Sequence, residues 1–172
     1  MACRGVLFAI EEKLANQLKS MERKDVVEFI QEEIEEEFFD EKPEYVAELD
    51  KSWDAMHRMF SKDENDFTSK EGEYPFNYLI MGSQVIYGDK DEENDYIVTL
   101  KTPRQVQDIY QAVNTLNESV FKEKYYAIDE TAYGFPLTDE DCANTWEWLK
   151  WTIPFWKTAS GKELFVIFTV DQ

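Results

Sequence analysis

Residues 5–10, GVLFAI, form an apolar run close to the start of the chain, and residues 164–170, LFVIFTV, form a second one close to its end. Short runs of this kind, rich in branched and aromatic side chains, are typical of buried β-strands. Residues 84–87 and 96–100 form two further candidate strands. The runs at the two ends are therefore predicted to be neighbouring strands at the centre of a small mixed β-sheet.

Between the predicted strands, apolar residues recur at helical spacing, and the clearest such stripe lies in residues 23–39. Thr102, Pro103 and Gln105 mark another helix start, because Thr102 caps it, proline fits the first turn and Gln105 completes a capping box. The remaining predicted helices cover residues 11–19, 45–61, 117–126 and 138–161. Helices that cover a sheet define an α+β fold, and the length fits one domain, residues 1–172.

The chain carries 37 acidic and 18 basic residues, which gives a net charge of −19. Such a field repels nucleic acid and anionic membrane surfaces, because both are bound through Lys and Arg. It favours a basic protein as partner and accelerates the encounter with one. The alternative is that the charge serves solubility alone.

Acidic side chains concentrate on the polar side of the helix predicted over residues 23–39, at Glu32, Glu33, Glu36 and Glu37. Like charges at i,i+4 spacing repel, and the helix dipole disfavours acids near a helix C-terminus. An acidic surface that docks on a basic partner explains this arrangement. A merely solvated face is the alternative.

The loop of residues 88–95, GDKDEEND, supplies a second acidic cluster. Its candidate partner-binding residues are Asp91, Glu92 and Glu93. The loop lacks the ligand spacing of an EF-hand, so no metal site is predicted there.

Two cysteines, Cys3 and Cys142, stand far apart in the chain without zinc-ligand spacing around them. They are interpreted as free thiols of a reducing cytoplasm. No glycine loop for phosphate and no cofactor motif occurs, so no cofactor is predicted. No apolar run reaches the length of a membrane span, which favours a cytoplasmic protein.

The helix predicted over residues 138–161 is rich in tryptophan and should kink at Pro154. Its core stripe comprises Trp146, Leu149, Ile153 and Trp156. Trp148, Trp151 and Phe155 point toward other faces, where exposed aromatic rings are typical anchors for a partner or a ligand. The alternative is that the whole set packs in the core.

Residues 49–60, LDKSWDAMHRMF, hold the only histidine, His57. On a helix, Asp50, Trp53, Asp54 and His57 would share roughly one face. One interpretation is a catalytic acid–base cluster of His57 with Asp54 and Asp50. The other is a structural network in which His57 bonds Asp54 and Trp53 packs over it.

The sequence resembles the YfbM-like family of bacterial proteins, whose function is unknown. The matching segments are residues 5–9, 50–57, 75–82 and 96–106. The most specific of them holds Asp50, Lys51 and Trp53 in a D-K-x-W element followed by His57. The resemblance implies an α+β fold and carries no catalytic activity with it.

These features together favour an acidic inhibitor of a basic protein. We expect an immunity protein that blocks the active site of a bacterial toxin domain, such as one that acts on nucleic acid. The alternative is a small enzyme or ligand-binding protein with its site around His57. The sequence leaves the oligomeric state open.

Overall fold

A computed structural model describes residues 3–61, 71–88 and 96–171 of the chain. Its strands are β1 (Gly5–Ile10), β2 (Val46–Asp50), β3 (Gln84–Tyr87), β4 (Tyr96–Lys101) and β5 (Phe165–Asp171). Its α-helices are α1 (Glu12–Ser20), α2 (Arg23–Phe29), α3 (Glu36–Glu41), α4 (Ser52–Phe60), α5 (Pro103–Thr115), α6 (Glu118–Tyr125), α7 (Glu130–Tyr133), α8 (Asp139–Trp151) and α9 (Ile153–Gly161). A π-helical stretch, Ile30–Glu35, joins α2 to α3.

The strands form one sheet in the order β2-β1-β5-β4-β3. The strands from the two ends of the chain are neighbours at its centre, with Phe8 opposite Ile167, as predicted. The prediction of a mixed sheet was wrong, because every neighbouring pair is antiparallel. Strands β2, β3 and β5 run in the same direction but alternate with the others in the order, so no two of them are paired.

The sheet separates two hydrophobic cores, because successive side chains of a strand point to opposite faces. Leu7 and Ala9 of β1 enter the larger core, which lies under α4, α5, α6, α8 and α9. Phe8 and Ile10 enter the smaller core, which α1, α2, the π stretch and α3 cover. We call these the large core and the small core. The arrangement confirms the α+β class.

The helix predicted over residues 45–61 was wrong in its first part, which forms strand β2. Ala47 and Leu49 are buried while Glu48 between them is exposed, a two-residue alternation that pairs with β1. Helical spacing further along, from Trp53 to His57, masked this short alternation in the sequence.

The helix boundaries set by local chemistry agree with the prediction. The Thr102 hydroxyl accepts from the backbone N–H of Gln105 at 3.4 Å, and the Gln105 side chain accepts from the backbone N–H of Thr102 at 2.9 Å. This capping box starts α5. The predicted kink at Pro154 is also confirmed, since the helix breaks between Trp151 and Ile153.

Candidate functional site

Trp53 anchors the signature element at the start of α4. Its indole is only 4% exposed. The Nε1–H donates to the backbone carbonyl of Cys3 at 3.0 Å, and the ring centroid lies 5.6 Å from that of Phe168 in β5. The indole therefore ties α4 both to the chain before β1 and to the centre of the sheet, which makes it a docking residue for the helix.

Gly5 provides the space that this indole needs. A Cβ atom at position 5 would lie 2.7 Å from Phe168 Cε2 and 2.8 Å from Trp53 Cγ. Gly5→Ala should therefore lower the free energy of unfolding by about 1–3 kcal/mol, the usual cost of overpacking, in urea denaturation. Gly161→Ala is the matched control, because the added methyl group would meet no side chain or backbone from elsewhere in the described structure within 4 Å. Equal losses in the two variants would contradict the steric explanation.

Asp54, predicted to act with His57 in catalysis or to accept a hydrogen bond from it, pairs with Arg58 one helical turn further on. Arg58 Nε donates to Asp54 Oδ1 at 2.6 Å, with Arg58 buried and Asp54 half-buried. Burial raises the pKa of Asp54, although the neighbouring guanidinium opposes the shift. Because a buried charge needs such a partner, the pair favours the structural interpretation of this acid.

Asp50 and Lys51 do not share the helical face of Trp53. Asp50 is the last residue of β2, has a backbone φ of 47° and lies 3.4 Å from Arg4 Nε through its Oδ1. Lys51 is exposed and precedes α4 as its N-cap. Because the backbone of Asp50 is in the left-handed conformation, the chain changes direction there. The residues predicted to share one helical face are therefore divided between strand β2 and helix α4.

His57 lies inside the packed part of α4 and is 4% exposed. A substrate would reach its ring only if neighbouring side chains moved. Of the two acids predicted to assist it, Asp50 ends β2 and pairs with Arg4, and Asp54 pairs with Arg58. An enzyme or ligand site around His57 therefore stays a prediction from the sequence.

Cys3 and Cys142 are free thiols, as predicted. Cys142 is buried, and burial raises the pKa of its thiol.

Within residues 3–61, 71–88 and 96–171, no group of three or more His, Cys, Asp or Glu side chains is placed to hold a metal ion. In the same ranges, no helix combines the length and apolarity that crossing a membrane requires.

A polar cluster beside α4 gave no signal in the sequence. Asp141 Oδ2 accepts from the hydroxyl of Tyr125 at 2.5 Å and from that of Tyr133 at 3.0 Å. Burial, reinforced by Asp141, raises the pKa of both phenols, so both remain donors. The cluster joins α6, α7 and α8, and its members come together only through the packing of those helices.

The helix that carries the predicted acidic surface keeps its apolar side against the sheet through its π stretch. Val26, Ile30, Ile34 and Phe38 are all buried, at four-residue intervals. In an α-helix of about 3.6 residues per turn, each such step rotates the side chain by about 40°, so the stripe would wind away from the sheet. The wider turn at Ile30–Glu35 offsets this rotation.

The opposite side of this helix is an acidic face, which we define by the exposed side chains of Glu32, Glu33, Glu36 and Glu37. Glu37 forms an ion pair with Lys42 at 2.7 Å. No ion pair within the described parts of the chain involves Glu32, Glu33 or Glu36. Among the residues that the structure describes, no cation therefore pairs with these three carboxylates.

Phe39 belongs to this surface, although it was not predicted from the sequence to do so. Its ring is 44% exposed, and its centroid lies 5.7 Å from that of Phe8. Consecutive helical residues point about 100° apart, so Phe38 enters the small core while Phe39 remains at its edge. The adjacent pair of phenylalanines at the end of the apolar stripe was the available signal.

The tryptophans predicted to anchor a partner lie on the other side of the sheet from the acidic face. Trp151 is 64% exposed, and its ring meets that of half-buried Trp148 edge to face at 5.0 Å between centroids. Both belong to α8, which packs on the large core, so one flat partner surface cannot cover them and the acidic face together. Phe155, predicted to point away from the core, is buried.

The second acidic cluster predicted from the sequence, Asp91, Glu92 and Glu93, lies outside the described residues.

Comparison with known proteins agrees with the sequence resemblance. The domain of unknown function DUF1877 matches residues 1–169. No curated protein matches the chain in sequence. The fold is similar to the crystal structure of YfbM from Escherichia coli, a protein of unknown function, with a TM-score of 0.60 and 13% identity over 97% of this chain and 99% of that one. The chain therefore belongs to the DUF1877 family, and its resemblance to the YfbM-like bacterial proteins is confirmed.

Proposed function

We propose that this chain is a protein-binding inhibitor that docks its acidic face on a basic partner, and that it acts as an immunity protein against a bacterial toxin domain. The observation that carries the proposal is the set of three exposed carboxylates, Glu32, Glu33 and Glu36, that no ion pair within the described residues uses. The net charge of −19 adds a long-range field of the same sign.

A basic partner would relieve a cost that the isolated protein carries. Glu32 and Glu36 stand one helical turn apart, as do Glu33 and Glu37, and each like-charged pair costs about 0.2–0.5 kcal/mol. Lys and Arg side chains of a partner would turn these repulsions into attractions, with Phe39 as an apolar anchor beside them.

Toxin domains that act on nucleic acid are a fitting class of partner. Such domains bind phosphates through Lys and Arg, so a row of exposed carboxylates can occupy the same basic surface. Charge complementarity of this kind accelerates association more than it strengthens the final complex.

The charge of the acidic face should control the rate of association. Glu33→Lys combined with Glu36→Lys should lower the association rate about tenfold or more at low ionic strength, because it reverses the steering charge. The measurement is surface-based binding kinetics over a salt series, with any basic protein found to be encoded beside this gene as the partner. Growth protection during co-expression with that partner is the cellular readout.

Glu123→Lys combined with Glu140→Lys is the matched control, because these exposed acids lie on α6 and α8, on the other side of the sheet. It changes the net charge by the same amount, so it should reproduce only the part of the rate loss that comes from net charge and not the part that comes from the acidic face. Equal rates for the two double variants would remove the acidic face from the proposal. Failure of the wild-type protein to bind or protect against its genetic neighbour would contradict the immunity role.

A further inference from the structure

A cleft at one end of the sheet, where β1 ends and β2 and β5 begin, combines positive charge with an apolar lining. It lies where the first turn of α1, the end of α3 and the chain entering β5 meet, and its volume is about 580 Å³. Small-molecule sites usually have volumes of roughly 300–1,000 Å³. We call it the lysine cleft and define it by Lys13, Leu14, Phe38, Lys42, Tyr45 and Lys162.

The charge of this cleft is opposite to that of the whole chain. Three lysines line it against two glutamates, Glu11 and Glu37, whereas the chain has 37 acids and 18 bases. Lys42 is neutralised by Glu37 at 2.7 Å. Lys13 and Lys162 are the two lysines of the cleft whose charge Glu37 does not neutralise.

Neither of the other two ammonium groups has a carboxylate partner within the described parts of the chain. Lys162 Nζ donates to the Tyr45 hydroxyl and lies 4.8 Å from the centroid of that ring. Both contacts are with the tyrosine side chain and neither is an ion pair, while Glu44 is close enough to help raise the pKa of Lys162. Lys13 is exposed and forms no ion pair within the described parts of the chain.

Apolar side chains form the rest of the cleft. Phe38 is buried beneath it, and Leu14 and Leu164 are half-buried at its sides. Such surface gains free energy when an apolar ligand displaces water from it. An ammonium group beside it forms a strong charge-assisted hydrogen bond with a carboxylate or phosphate oxygen.

We propose that the lysine cleft binds a small amphipathic anion. Its single carboxylate or phosphate group lies against Lys13 and Lys162, and its apolar body lies against Leu14, Phe38 and Leu164. A highly charged ligand such as a nucleoside triphosphate is disfavoured, because the net charge of −19 repels each added negative charge. This proposal is independent of the one made for the acidic face.

Titration of the purified protein with octanoate and, separately, octyl phosphate tests this site. Calorimetry should show saturable binding of at least one of them, and the stronger one identifies the preferred acid group. Amide chemical shifts should change in α1 and around Tyr45. Lys13→Gln combined with Lys162→Gln should weaken binding about tenfold or more, which is at least about 1.4 kcal/mol.

Two controls separate a specific site from general adsorption. Octyltrimethylammonium has the same apolar chain with the opposite charge and should not bind in the cleft. Lys24→Gln combined with Lys157→Gln removes equal charge from exposed positions outside the cleft and should leave affinity unchanged. Absence of saturation with both anions, shifts located elsewhere, equal binding of the cation, or full affinity in the Lys13/Lys162 variant would each overturn the proposal.

Discussion

Trp53→Ala should lower the free energy of unfolding by about 3–5 kcal/mol, as truncation of a large buried aromatic side chain usually does. The substitution removes the packing on Phe168 and the hydrogen bond to the Cys3 carbonyl, which together hold α4 on the sheet. Urea denaturation followed by far-ultraviolet circular dichroism measures the loss. The cavity would open in the large core, so partial collapse around it sets the value within this range.

Trp151→Ala is the matched control, because it makes the same substitution at an indole that is 64% exposed. Its effect should stay within about 0.5 kcal/mol. Trp53→Phe should fall between the two, since it keeps an aromatic ring and loses the donor to Cys3. A loss in Trp53→Ala no larger than in Trp151→Ala would show that the signature tryptophan does not dock the helix.

The stability of the protein should rise with pH above neutrality because of Lys101. This side chain at the end of β4 is fully buried, its Nζ donates to the Ile80 carbonyl at 2.6 Å, and burial lowers its pKa from 10.5 to about 7. Between about pH 7 and pH 10.5, the unfolded chain holds a proton on Lys101 that the folded protein lacks. The free energy of unfolding should therefore rise by up to about 1.4 kcal/mol per pH unit.

Below about pH 7 both states are protonated at Lys101, so the full cost of its burial is present and this slope disappears. Urea denaturation across the window from about pH 7 to 10.5 measures the slope. The tyrosines of the Asp141 cluster, Tyr125 and Tyr133, have raised pKa values. At about pH 10 the unfolded chain therefore loses phenol protons that the folded protein keeps, which opposes the rise at the top of the window.

Lys101→Met isolates the contribution of this one group. The variant should lose the lysine-dependent slope and should be at least as stable as the wild type at neutral pH, because methionine fills similar space without a charge. The Ile80 carbonyl keeps a donor in the Thr99 hydroxyl at 3.4 Å. Lys157→Met, at an exposed position, should keep the wild-type slope. An unchanged slope in Lys101→Met would assign the pH dependence to other groups.

Features that depend on neighbours in the chain could be predicted from the sequence. The Thr102–Gln105 capping box needs only residues three apart, and the break before Pro154 needs only the missing amide hydrogen of proline. The apolar strands at the two ends of the chain were recognisable because they have to be buried, which also placed them at the sheet centre. The signature around Trp53 identified the family on the same local basis.

Tertiary packing alone decided which residues meet. Strand β2 became visible only when Ala47 paired opposite Leu7, since five residues are too few for a decisive periodicity. Burial of Lys101 depends on the segment that holds Ile80, twenty-one positions earlier. The charge and apolar patterns of this sequence therefore determine four of its five strands, most of its helices and its family. The separation of Trp151 from the acidic face, and the cleft built from both ends of the chain, follow from how the helices pack around the folded sheet.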